Sequence, residues 1–387
     1  EYFLYTSFQS LRTLLVPAVL KRVGTLFRLL TTPIMTFAKR HTSNPKIQQL
    51  LGYPAVFLGS SPYIAPSMFH LMSYLDLEDG LLYAEGGFTR VIDSMRGVIE
   101  DHGVTVVTQA RVRAITTEKR SGKAHATGVT YEDSHGVSHT LSADCVVSTT
   151  DLHHSETQLL PSELQTYPQS YWDKKIAGPS AVLLYLGITG EVPELEHHTL
   201  FFTEDWEDNF SQIFADKPTV PSPASLYVCK PSATDSVVAP KGHTNIFVLV
   251  PAAADVGIGG SGDASFEAAA DKVIEQIATW CEIPDLKERI VVRKTMGPRD
   301  FQTELNAWNG TALGMAHTLR QSAFFRPKNY SKKLKNLFYV GHNTIPGIGL
   351  PMCLIGAELV YKHLTDDRSA GPTKGELKPV KTWKGLA

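Results

Sequence analysis

The sequence predicts an α/β protein of two domains, and three observations carry that prediction. A chain of 387 residues exceeds what one small core organises. A run of short alternating segments with glycine turns is followed by longer apolar strands and a strongly amphipathic helical stretch. Near the end, "NLFYVGHNTIPGIGLPMCLIGAELVYKHL" passes from an apolar β-type run through a Gly-Pro turn into a helix. A helix that opens on glycines leaves backbone N–H groups and the positive end of its dipole free, so it can receive an anion.

The elements follow in order. The first ~78 residues read as helical, with breaks at Pro17, Pro33, Pro45 and Pro54. Across residues 1–40, Arg12, Lys21, Arg22, Arg28, Lys39 and Arg40 alternate with apolar residues, and the only acid there is Glu1. That pattern suits a helical surface resting on anionic lipid, an organelle transit peptide, or packed helices with snorkelling cations. The chain opens on "EYFLYTSF" without an initiator Met, which reads as a truncation. "YAEGGFTRVIDSMRGVIEDHG" gives a Gly-Gly turn and a helix with Val91, Ile92, Met95, Val98 and Ile99 on one side. "VTVVT", "VRAITTEK", "HATGVTYED" and "HTLSA" predict short antiparallel strands, and "ADCVVSTTD" a buried strand ending in polar residues. "AVLLYLGI" and "TNIFVLVP" predict longer strands, "ASFEAAADKVIEQIATWCEI" a helix, and residues 366–387 a loose tail.

Composition excludes several classes. At 43% hydrophobic and 20% charged the chain is neither disordered nor fibrous. A formal net charge of -2 gives no basic field, so no nucleic-acid partner is expected. Cys145, Cys229, Cys281 and Cys353 lie far apart with no C-x-x-C, so neither a disulfide framework nor a zinc signature is present and a cytoplasmic setting fits. No apolar run reaches the ~18 residues of a membrane span.

Two motifs are decoys. Gly257, Gly259 and Gly262 in "GIGGSG" match a dinucleotide fingerprint, but "PAAADV" separates them from the strand that would have to run straight into the first glycine. His197-His198 suggests a metal, but neighbours in extended chain point to opposite faces and no ligand-spaced partner is near in sequence, so no metal is expected. No G-x-S-x-G elbow or P-loop occurs.

Longer pieces carry a resemblance: "NPKIQQLLGYPAVFLGSSPYIAP", "HHTLFFTEDWEDNFSQIF", "SLYVCKPSATDSVVAPKGHTNIFVLVP", "GPRDFQTELNAWNGTALG" and "QSAFFRPKNYSKKLKNLFYVG". Over nearly its whole length the chain resembles the bacterial-type phytoene desaturases, flavoproteins that introduce double bonds into carotenoid precursors. The resemblance implies an amine-oxidase-like flavoprotein fold, FAD as cofactor, and an N-terminal dinucleotide-binding unit that is missing here. It implies discontinuous domains: residues 79–160 and 290–365 on the FAD side, residues 1–78 and 161–289 forming a mixed α+β substrate domain. It places Gly341, Thr344, Pro346, Gly347, Gly349, Leu350 and Pro351 beside the flavin, Gly86 and Gly87 near its ribityl and pyrophosphate, and Val112 at the adenine. Asp151, Glu304 and His342 are the candidate bases. The implied partners are an apolar carotenoid and peripheral contact with a membrane; the electron acceptor is not indicated. His342-Asn343, Ile345 and Met352 depart from the family pattern, which keeps a carotenoid oxygenase or isomerase of the same fold open. A truncated, non-catalytic binder of apolar molecules is the other alternative.

Overall fold

Proline opens the first helices instead of breaking them. The computed structural model describes residues 4–6, 17–57, 59–80, 82–214, 218–322, 325–369, 371–377 and 380, so Arg12 and most of the 366–387 tail beyond 377 lie outside the described residues. Its N-terminal helices are α1 (Pro17–Leu20), α2 (Val23–Thr31), α3 (Ile34–Lys39), α4 (Pro45–Gly52), α5 (Pro54–Phe57) and α6 (Leu71–Tyr74). Pro17, Pro45 and Pro54 stand at first helical positions, where the missing N–H removes no hydrogen bond. Asn44 caps α4, its Oδ1 accepting from Lys46 N at 2.9 Å and Ile47 N at 3.4 Å.

Next come α7 (Phe88–Asp101), β1 (Arg111–Arg120), β2 (Lys123–Glu132), β3 (Ser138–Ser142), β4 (Val146–Ser148), α8 (Leu152–Thr157) and α9 (Gln169–Trp172). β1, β2 and β3 form an antiparallel sheet. Its first hairpin turns at Ser121 (φ 49°) and Gly122 (φ 78°), the paired positive φ angles that match strand twist. "VTVVT" joins no sheet, which departs from the sequence reading; Val104 and Val107 are exposed.

The second half holds β5 (Ser180–Thr189), β6 (His198–Phe201), α10 (Trp206–Ile213), β7 (Leu226–Cys229), β8 (His243–Ala252), α11 (Ala264–Trp280), β9 (Ile290–Met296), α12 (Pro298–Leu305), β10 (Leu337–Tyr339) and α13 (Leu350–Leu364). An antiparallel sheet runs in the order β6-β7-β8-β5-β9. β9 was expected with the 290–365 segment; its pairing with β5 puts it in the sheet of residues 161–289.

Strict alternation builds this sheet. In β8 every second residue from Thr244 to Ala252 is buried, the others only partly. The buried face, Val182, Leu184, Leu186, Ile188, Ile246, Val248 and Val250, packs on Phe266, Ala270, Val273, Ile274 and Ile277 of α11. Burial of each large side chain contributes about 1.5–3 kcal/mol. On the opposite face, α12 covers Leu183 through Phe301. Beyond it Tyr185, Phe247 and Tyr227 remain half open, their rings 5.4 and 6.4 Å apart in succession. Met35 of α3 meets Trp206, Phe210 and Ile213 of α10, joining the N-terminal helices to this half.

β4 and β10 pair in parallel as a two-stranded sheet. Asn336 splices it to β2: its Oδ1 accepts from Ala126 N at 2.8 Å and its Nδ2 donates to Ala126 O and Asp144 O at 2.7 Å. Trp172, Trp308, Met315, Leu337 and Tyr339 form the core beneath. The expectation that "ADCVVSTTD" forms a buried strand does not hold, since Val146 and Ser148 are only partly buried and Val147 is exposed. Parallel strands normally have both faces covered. α7 also has no buried residue, and its expected apolar stripe, including Ile92, Met95 and Val98, faces outward.

Candidate functional site

The end of β10, the loop 341–349 and the start of α13 form the site. Gly341 and Gly347 take φ of 148° and 144°, which a side chain would strain. A Cβ at Gly347 would lie 2.7 Å from His317 Nε2, so the bend exists only because the residue lacks one. Thr344 is buried and closes the turn, its Oγ1 donating to Gly341 O at 2.9 Å. Asn329 clamps the loop, its Nδ2 donating to Tyr339 O at 3.2 Å and Ile345 O at 2.9 Å.

The mouth of α13 is open. Gly349 precedes it with no side-chain cap, and Gly349, Leu350 and Pro351 are exposed. The first-turn N–H groups therefore have no side chain to satisfy them. Behind the bend lies Arg326, 2% exposed. Its Nη atoms donate to Gln321 O, Met315 O and His342 O at 3.0, 3.3 and 2.6 Å. Its buried Nε has no hydrogen-bond partner, and no acid pairs with it among the described residues. Burial pulls the guanidinium below its ordinary value, partly offset by Tyr171. A buried cation without an acid, beneath an uncapped helix end, fits an electron-rich or anionic group held by close backbone approach. The residues present thus fit a flavin, whose reduced form carries negative charge.

Two of the three candidate bases come together. Asp151 is buried, caps α8 by accepting from His153 N at 2.8 Å and His154 N at 3.3 Å, and accepts from Asn343 Nδ2 at 3.0 Å. His342 Nε2 lies 3.3 Å from Asp151 Oδ2. Gly314 makes room for that ring, since a Cβ there would fall 2.2 Å from His342 Cδ2. Glu304 is exposed on α12 and shares no hydrogen bond with either. Val112 opens β1 opposite Tyr131, half exposed beside an irregularity in the ladder.

Gly86 and Gly87 form the expected turn, with φ of 82° and 79°. Gly86 N donates not outward but to Asp235 Oδ2 at 2.7 Å, and Tyr83 Oη donates to the same oxygen at 2.9 Å. Hydrogen bonds from Val237 N and Gly86 N hold the Asp235 carboxyl below its usual range. The "GIGGSG" loop cannot receive an anion, because acids already occupy its N–H groups. Gly257 N, Gly260 N, Ser261 N and Gly262 N donate to Asp255, Asp263, Asp300 and Glu267.

The argument against a metal at His197-His198 fails in its premise. His197 precedes β6 instead of lying within it, and the two rings sit 4.4 Å apart. One ligand atom each from His197, His198 and Cys229 lies within 4.8 Å of the others. Sequence reasoning also missed Arg326, Asn329, Asn343 and Asp235. No local pattern marks them, for their partners lie up to 192 positions away.

Comparison with known proteins agrees with this geometry. A carotenoid 3,4-desaturase of Haloarcula japonica is 40% identical over 351 residues, covering 91% of this chain and 66% of that protein. A phytoene desaturase of Fusarium fujikuroi is 29% identical over 386 residues, covering 95% of this chain and 65% of that protein. The chain thus spans just under two thirds of the length of these relatives. Among solved structures, an oxidoreductase from Methanosarcina mazei superposes with a TM-score of 0.56 at 16% identity, over 94% of this chain and 74% of that one. Putrescine oxidase bound to putrescine superposes with a TM-score of 0.52 at 14% identity, over 90% and 68%. These two bear out the expected fold. A family model described as flavin-containing amine oxidoreductase matches residues 33–359, so the chain belongs to that family, with FAD as its cofactor.

Proposed function

We propose that the chain is the larger part of an FAD-dependent carotenoid desaturase. The observation that carries the substrate reading is the half-open aromatic face of β5, β8 and β7, where the rings of Tyr185, Phe247 and Tyr227 meet in succession. A long hydrocarbon needs such a surface and few polar contacts. The relatives act on carotenoids of that kind by name.

In this reading Gly341, Thr344, Pro346, Gly347, Gly349, Leu350 and Pro351 hold the flavin ring, and Gly86, Gly87 and Val112 its remainder. A flavin held there would supply a two-electron acceptor for the hydride leaving one substrate carbon, the neighbouring carbon giving up its proton to a base of the protein as the double bond forms. The mouth of α13 and the Arg326 cation stabilise negative charge at the ring before the reaction begins. His342 is the proton acceptor of choice among the three candidates. Its Nδ1 bonds to no described residue while Asp151 orients the ring, whereas Asp151 is engaged by four donors and Glu304 stands apart.

In the same reading residues 79–160 and the segment after α12 lie on the FAD side and the rest on the substrate side, with β9 assigned to the latter because it pairs with β5. The bare face of α7 and the exposed Val147 of β4 support docking of a further layer of the FAD domain on these elements. α2 presents Val23 and Phe27, 57% and 69% exposed, beside Lys21, Arg22 and Arg28. That surface supports peripheral membrane docking to collect a lipid-dissolved substrate. No helix among the described residues is long and apolar enough to cross a membrane.

The test is product analysis in cells that accumulate phytoene and express the full-length gene. New conjugated polyenes, reduced at least ~100-fold by His342→Gln, are expected of a lost general base. Oxygenated products, or none, would defeat the reading.

A further inference from the structure

We infer that His197, His198 and Cys229 form a zinc site at the β6–β7 edge of the five-stranded sheet. The register places His198 directly opposite Cys229, so both side chains rise on the same face. His197 lies one residue before the strand and turns its ring back over His198, 4.4 Å between centroids. The three prospective ligand atoms already lie within 4.8 Å of one another, and small side-chain rotations close that to the spacing around a tetrahedral ion.

The surrounding hydrogen bonds have the form a metal site needs. His197 Nδ1 meets Thr234 Oγ1 at 2.6 Å, and its buried Nε2 has no partner. With Nδ1–H donating to Thr234, Nε2 is left as a lone pair facing inward. His198 Nδ1 likewise meets Tyr227 Oη at 2.7 Å. Each imidazole is thus oriented by a partner on one nitrogen while the other stays available, the arrangement that fixes ligating histidines. Asp235 supplies nearby negative charge, and Tyr83, which donates to it, stacks edge-on against His197 at 4.8 Å. Lys230 does not oppose a cation: it leaves on the other face, its Nζ on Val192 O at 2.7 Å.

Two imidazoles and a thiolate suit zinc over calcium or magnesium, which take oxygen ligands. Binding releases one proton from the Cys229 thiol, and water completes the four positions. An ion here would brace the β6–β7 edge against the 83–87 turn through His197, Tyr83 and Asp235.

The test uses the full chain, stripped with a chelator and titrated with Zn²⁺ against a chromophoric competitor, and separately with Co²⁺. One equivalent should bind, with a thiolate-to-cobalt band in the near ultraviolet. Cys229→Ser should abolish the band, and Cys281→Ser and Cys353→Ser should leave it. Thr234→Val, which removes only the partner of His197, should weaken Zn²⁺ about 10- to 100-fold. Circular dichroism checks that each variant is folded; should His197→Gln unfold, Cys229→Ser decides alone. Absence of stoichiometric binding, or a band that survives Cys229→Ser, overturns the site. Neither readout depends on flavin or carotenoid.

Discussion

At Asp151 the usual exchange of Asp for Asn at a helix cap is blocked by a neighbour. Its Oδ1 accepts from His153 N and His154 N, and its Oδ2 accepts from Asn343 Nδ2. Asn343 cannot turn over, because its own Oδ1 accepts from Met315 N at 2.8 Å. In Asp151→Asn the new amide would face another amide, donor against donor, in a buried setting. The expected cost is roughly 1–3 kcal/mol, where an ordinary cap would tolerate the change. Urea unfolding of the variant measures this, and an unchanged midpoint would show that the buried network is not rigid. Asp151 was legible in the sequence as a polar residue closing an apolar strand. Its partner Asn343 was seen only as a departure from a family pattern, and its part in holding 315 against 343 could not be read from spacing.

Among the elements, α13 ends on a contest between two effects. His363 lies in its last turn, where the helix dipole favours a proton. Burial against Tyr330 and Phe338, with the cation of Lys328 nearby, wins and pulls it from 6.5 to about 4. A lowered folded value means the unfolded chain binds the proton more readily. This contribution is therefore complete above about pH 6.5 and drains away as pH falls toward 4. It amounts to at most about 3 kcal/mol. His363→Phe should lose less stability than the parent between about pH 7 and 4.5 in denaturant titrations, and equal slopes would refute the assignment. The sequence announced α11, β5 and β8 because their apolar periods match their burial. It misplaced "VTVVT" and the burial of β4, since a strand pattern says nothing about whether a partner or covering layer is present. The juxtaposition of His198 with Cys229 depends on register across a 24-residue excursion between β6 and β7, which no local signal sets.

At the scale of the whole molecule, two runs of exposed apolar side chains stand out among the described residues. One is α7, with Phe88, Ile92 and Val98, the other α2 with the segment from Leu71 to Leu77. Large exposed apolar patches mark binding surfaces, and α2 in the second stands beside Lys21, Arg22 and Arg28 with no acid between residues 17 and 40. Anionic lipid attracts each basic side chain by about 1 kcal/mol. Replacing Arg22 and Arg28 together by Gln should therefore weaken binding to phosphatidylglycerol vesicles about 30-fold, with little change on neutral vesicles. Equal flotation of both proteins on both vesicle types would remove the membrane from the account. The contact between Gly86 and Asp235 has a further use. A single backbone proton joins positions 149 apart in the chain, shielded while the 83–87 turn stays seated on its carboxylate. Placed in heavy water, that proton can be replaced by deuterium only when the turn lifts away. The rate at which one amide signal fades thus becomes a clock for how often this junction opens.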